Sequence, residues 1–98
     1  MRKTEFIVAL DNALADAKKT QCGLTAMTYD DADSYFNNLV VREYRIEEDN
    51  LVVIDQFNNL VLFALPDENS ECDIYDDVEH TFDWVGEDNI EHEIGFPW

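Results

Sequence analysis

The sequence predicts a single acidic α+β domain over residues 1–98: N-terminal helices packed on a three-stranded antiparallel sheet, with an acidic C-terminal helix or hairpin. Three observations carry that expectation. Apolar residues recur at helical spacing over the first twenty positions. From Val40 to Leu65 they alternate or run continuously, and from Ile74 onward they fit two periods at once. A chain of 98 residues has room for one core. Its 46% hydrophobic and 12% aromatic content is too rich for a disordered acidic tail.

The first element is an amphipathic helix over residues 4–22. Phe6, Leu10, Leu14 and Ala17 form its stripe, and Ile7 and Ala13 widen it. Thr4 suits the N-cap, Lys18 and Lys19 suit the C-terminal dipole, and Gly23 suits the left-handed residue beyond it. A short second helix is expected to open at Thr28, with Asp30, Asp31 and Asp33 in its positive first turn and Ala32, Tyr35 or Phe36, Leu39 and Val40 on its apolar face.

At Val40 the period changes to two. Residues 40–46, 51–54 and 60–65 read as strands of a meander, separated by Glu47-Glu48-Asp49-Asn50 and by the turn-forming residues 55–59, and ended by Pro66. The middle strand, Leu51-Val52-Val53-Ile54, is apolar on both faces and so expected to be covered on both. Beyond the loop 66–71, Ile74, Tyr75, Val78, Phe82 and Val85 fit a helix over 73–85 that Gly86 would stop. Residues 80–85 and 90–94, joined by 86–89, also spell a hairpin. The helix is the preferred reading, with an extended tail to Trp98. Trp84 and Trp98 are either the roof of a small core or interface anchors.

Charge is the dominant functional signal. There are 23 Asp plus Glu against 6 Lys plus Arg, for a net charge of −17. Residues 1–20 hold four cations and three acids; residues 21–98 hold twenty acids against only Arg42 and Arg45. Solubility in a small domain needs a net charge of magnitude only about 2–8, and excess like charge strains the compact state. High-salt adaptation would scatter acids over every element, yet the first twenty residues are mildly basic. Direct binding of nucleic acid requires a basic face, which the chain lacks. No apolar run is long enough for a membrane span, and Asp11, Asp16 and two lysines interrupt any signal-like segment.

The chemistry-bearing residues are sparse. None of the nucleotide-cradling, serine-hydrolase or zinc-protease motifs occurs, and three glycines leave no material for a phosphate loop. His80 and His92 read as solvated residues in an acidic stretch. Asp31-Ala32-Asp33 and Asp73-Ile74-Tyr75-Asp76-Asp77 fail the spacing of a calcium loop, and Cys22, Cys72, His80 and His92 fail that of a zinc site. The expectation is therefore no enzyme, no cofactor and no specific metal site. Cys22 and Cys72 read as free thiols of a reducing cytoplasm, although one disulfide is compatible with the sequence.

On the helical reading, Asp76, Glu79, Asp83 and Glu87 line one flank of 73–85, with Asp73 a turn earlier; successive turns stand ~5–6 Å apart. With Asp77, Asp88, Glu91 and Glu93 they form the candidate partner-binding surface, and Glu47, Glu48 and Asp49 form a second acidic group. A row of carboxylates on a rigid element can offer a basic groove what a row of phosphates offers. Small size, a pI near 4.1 and mixed helix and sheet resemble the small acidic DNA-mimic inhibitors of phages and mobile elements, among them anti-restriction and anti-CRISPR proteins. That resemblance, one of type rather than motif, implies a partner that is a basic nucleic-acid-binding protein or nuclease complex in a bacterial cytoplasm, bound without contact to nucleic acid or membrane. A homodimer is compatible with it. The same electrostatics would serve an immunity protein against a nuclease toxin, or an acidic module that binds a basic regulatory factor.

Overall fold

A computed structural model describes residues 1–30, 34–76 and 80–97. One helix, α1 (Lys3–Thr20), is followed by β1 (Gly23–Tyr29), β2 (Ser34–Ile46), β3 (Asn50–Asp55), β4 (Leu60–Ala64), β5 (Cys72–Asp76), β6 (His80–Val85) and β7 (Glu91–Phe96). The seven strands form one antiparallel sheet in the order β4-β3-β2-β1-β7-β6-β5. The fold expectation is thus corrected: among the described residues there is one N-terminal helix rather than several, and the sheet has seven strands rather than three.

α1 forms where its stripe demands. Phe6, Leu10, Leu14 and Ala17 are all buried against one face of the sheet. Its ends differ from the sequence reading. Arg2 occupies the N-cap without a side-chain cap, and Gln21, at φ 58°, is the left-handed residue whose N–H donates to Ala17 O at 2.8 Å.

The helix expected from Thr28 is absent from the described residues of that segment. Gly23–Tyr29 is β1 and Ser34–Ile46 is β2, with Asp31, Ala32 and Asp33 outside the described residues. Leu24 and Ala26 alternate into the core, a period-two pattern that the acids after Thr28 mask in the sequence. β2 is thirteen residues long because it serves two sets of partners. Its first half, to Val40, pairs with β1, and its second half, from Val41, pairs with β3 with a register break between Val41 and Glu43. Asn38, at φ 61°, lies in the bend, where Gln56 bridges to Val40 N and Asn38 O at 3.0 Å each. A strand that kinks this way lets a sheet turn a corner.

That corner brings the two halves of the sheet together on the helix side. Trp84 Nε1 in β6 donates to Ala64 O at the end of β4 at 2.7 Å, and Glu87 N donates to Leu65 O at 3.0 Å. Phe63 and Trp84 rings lie 6.2 Å apart, with Phe6 from α1 5.6 Å from Trp84 and 5.5 Å from Phe82. Trp84 is therefore the centre of the core. The helix expected over 73–85 is overturned by strands β5 and β6; Ile74 and Phe82 face α1, whereas Tyr75 and Val85, counted on the same helical stripe, face the other way. Val78 lies outside the described residues.

Candidate functional site

Alternation along β5, β6 and β7 sorts their side chains into two sets. Cys72, Ile74, Phe82, Trp84, His92, Ile94 and Phe96 turn toward α1, and Asp73, Asp83, Glu91 and Glu93 turn outward. The register then sets these acids against one another. Asp73 is directly opposite Asp83, and Asp83 is directly opposite Glu93. Direct cross-strand partners have Cβ atoms ~4.5–5.5 Å apart, and like charges so placed are destabilising. Glu91 stands two residues before Glu93 in β7, opposite Val85 and Tyr29.

Several other acids have local structural roles. Asp55 accepts Phe57 N and Asn59 N at 2.8 Å each, closing the β3–β4 turn. Although burial pushes its carboxyl up, the amide donors of Asn59 and Phe57 outweigh this and hold it below the usual range. Asp67 caps its own loop through Asn69 N and Ser70 Oγ, Asp11 accepts the Tyr44 hydroxyl at 2.6 Å, and Glu43 pairs with Lys18 at 2.7 Å. Asp88 accepts Ile90 N at 3.1 Å and lies 3.3 Å from His92 Nε2. Among the described residues, no Lys or Arg pairs with Asp73, Asp83, Glu91 or Glu93. Their hydrogen bonds, from Tyr29 to Glu93 and between Asp83 and Glu91, bring no counter-charge to the group.

The electrostatic consequence is sharpest at Asp83. Partial burial first, then a hydrogen bond with Glu91 and the charges of Glu91, Glu93 and Asp73, push its carboxyl from 3.8 up to about 7. One carboxyl of the group thus holds a proton through the mildly acidic range. Tyrosines frame the patch: Tyr29 donates to Glu93 Oε2 at 3.1 Å, Tyr75 is exposed on β5, and Tyr35 aligns through Met27 with Glu93. The Tyr29 phenol is raised by burial and by Glu93, and that of Tyr75 chiefly by Asp73.

Asp83, Glu91 and Glu93 bring carboxylate oxygens within 4.8 Å of one another. Sequence spacing concealed this cluster, because it is assembled across two strands. Three acids on the outward face could hold a hard divalent cation, with water supplying the remaining positions such an ion requires.

The candidate acids of the sequence divide into three groups. Asp73, Asp83, Glu91 and Glu93 form the patch. Asp49 and Glu87 meet at the end of the sheet, where burial and then Asp49 raise the Glu87 carboxyl while Lys3 lowers it. Glu71 and Val85 line both the depression beside Asp73 and Asp83 and the one beside Asp67 and Glu87, so the negative surface is continuous between them. The rest do not join it: Asp76 pairs with His80 on the helix side, Glu47 with Arg45 at 3.7 Å, Asp88 holds the β6–β7 turn, and Glu48 is exposed in the β2–β3 turn. Asp77 and Glu79 lie outside the described residues. The single helical row from Asp76 to Glu87 does not exist.

His92 is also corrected. It is 2% exposed, with Nδ1 3.1 Å from Thr28 Oγ1 and its ring against Trp84 and Phe63. The alternation His92, Ile94, Phe96 was its signal. Cys22 and Cys72 are free thiols; burial raises the Cys72 thiol, whose Sγ lies 3.2 Å from Met1 O. No helix among the described residues is long and apolar enough to cross a membrane. Comparison with protein-family models, curated proteins and solved structures finds no match to this chain.

Proposed function

We propose that this protein is a polyanion mimic that occupies the basic nucleic-acid-binding groove of a partner, a host defence nuclease or surveillance complex in a bacterial cytoplasm, without catalysing a reaction. The observation that carries the reading is the outward row Asp73–Asp83–Glu93, with Glu91 beside it. Its acids stand directly opposed on adjacent strands ~4.8 Å apart, a like-charge row that disfavours the fold and that no Lys or Arg among the described residues pairs with.

The charge density supports this reading. Duplex DNA carries one phosphate per ~1.7 Å of axis, or ~3.4 Å per strand; the patch sets out carboxylates at a spacing of the same order. The surrounding tyrosines add rigid amphipathic area of the kind that anchors interfaces. A groove lined with Lys and Arg supplies the missing counter-charge, and electrostatic steering makes the encounter fast and salt-sensitive.

The test is capture from a bacterial lysate on the immobilised protein, with and without added duplex DNA. Retention of nucleic-acid-binding proteins that DNA displaces is the expected result. Partners that remain bound in the presence of DNA would rule out competition for the groove.

A further inference from the structure

The opposite margin of the sheet offers a surface of another kind. Along β4, Val61 and Phe63 face the core, while Leu60 and Leu62 are 59% and 58% exposed on the face away from α1. Phe57, in the preceding turn, is 74% exposed. The hydrogen-bond register defines what the backbone presents. Leu65 N donates to Asp49 O at 2.9 Å, and Phe63 and Val61 stand opposite Leu51 and Val53. Antiparallel pairs alternate between bonded and unbonded, so Val61 and Phe63 direct their polar groups to β3, as Leu65 does its N–H, whereas Leu60 and Leu62 direct theirs out of the sheet. Trp84 and Glu87 close the edge at Ala64 and Leu65. The open stretch is Leu60 to Leu62.

Native edge strands are usually guarded by a charge, a proline or a bulge. β4 has none of these. Residues 56–66 are eleven consecutive uncharged positions between Asp55 and Asp67, the longest such run in a chain of net charge −17.

We infer that β4 is a homodimer interface, on which a second copy of this chain adds its own β4 antiparallel about a two-fold axis at Val61. This register opposes Leu60 with Leu62 of the second copy, and Leu62 with Leu60. Each pair exchanges two main-chain hydrogen bonds, and the four leucines pool on the exposed face beside Val52 and Ile54. Isologous contacts of this kind need only self-complementarity.

Charge selects the occupant. Two strongly negative molecules approach most readily where neither presents carboxylates; β5, the other edge, bears Asp73 and Asp76, with Glu71 just before it. A basic partner of the kind fitted to the acidic patch would find no carboxylate along β4 to engage.

Sedimentation velocity of the intact protein over a concentration series, at low salt and at about 0.3 M salt where charges are screened beyond roughly 6 Å, decides the matter. The expected result is a two-fold rise in mass with concentration, reached at lower concentration in the higher salt because repulsion between copies is screened. Leu62→Lys and Leu60→Lys, at exposed positions, should each remain monomeric with an unchanged circular dichroism spectrum, whereas Val8→Lys on the exposed side of α1 should dimerise as the parent does. A parent protein that stays monomeric throughout, or β4 variants that dimerise as well as the parent, would overturn the inference.

Discussion

Asp83 connects the fold of this protein to its proposed task. Its carboxyl titrates at about 7 in the folded chain against 3.8 ordinarily, first because it is partly buried and then because Glu91, Glu93 and Asp73 surround it. Between those two values the folded state binds more protons than the unfolded one, so this group makes stability fall as pH rises. Glu43, Asp55 and Asp67 act in the opposite sense. Their carboxyls are lowered in the fold, and the stability they confer is lost as pH falls through their titration. Thermal melting should therefore show a higher Tm at pH 5.5 than at pH 8, and a decline at more acidic pH. Asp83→Asn should raise the Tm at pH 8 and flatten the slope between pH 5.5 and 8, since it relieves two opposed like-charge pairs, with Asp73 and with Glu93, of about 0.2–1 kcal/mol each. A substitution that stabilises the fold while weakening partner binding is what a residue retained for recognition predicts. A lower Tm at pH 8 in Asp83→Asn would show that the carboxylate supports the fold instead.

The seam between β4 and the β6–β7 turn is the element on which the outward face depends, because it fixes β6 against the core. Gly86 is required there: a Cβ at this position would lie 2.8 Å from Ala64 O and 2.9 Å from Ala64 Cβ. Gly86→Ala should cost about 1–3 kcal/mol, as overpacking does, measured by denaturant unfolding. Trp84→Phe keeps a ring among Phe6, Phe63 and His92 but leaves Ala64 O without its indole donor, at a cost of about 1–3 kcal/mol. Helix α1 could be read from the sequence because it carries one clear helical period, and the strands within 40–46, 51–54 and 60–65 because they alternate or are short apolar runs bounded by polar turns. Residues 73–85 could not. Ile74 and Phe82 belong to one face of the hairpin and Tyr75 and Val85 to the other, yet all four coincide with a helical stripe. Around residue 28, Asp30, Asp31 and Asp33 imitate a helix N-terminus and conceal the inward alternation of Leu24 and Ala26. The acids of the patch were legible as candidates but their arrangement was not, for a related reason: Asp73, Asp83 and Glu93 are ten residues apart and meet only through the register of three strands.

At the scale of the whole molecule, the chain concentrates opposed carboxylates on the outer face of β5 to β7 and keeps its neutral edge on β4. Net self-repulsion must weaken the compact state and should be relieved by screening, so the Tm should rise between low salt and about 0.5 M salt as the Debye length falls from tens of ångströms to roughly 4–5 Å. A melting temperature insensitive to salt would show that the acids are too dispersed to strain the fold. Association with a basic partner should respond in the opposite direction, since salt competes for the carboxylates, whereas pairing of two copies through β4 should be favoured. The most direct measurement is the affinity of a DNA-displaceable captured partner for the parent protein and for Asp73→Asn/Asp83→Asn/Glu93→Gln, titrated at several salt concentrations. The account predicts that the triple variant melts no lower than the parent at pH 8, binds at least about tenfold more weakly, a loss of ~1.4 kcal/mol, and shows a shallower salt dependence. Binding of the variant with the parent's affinity and salt dependence would contradict it.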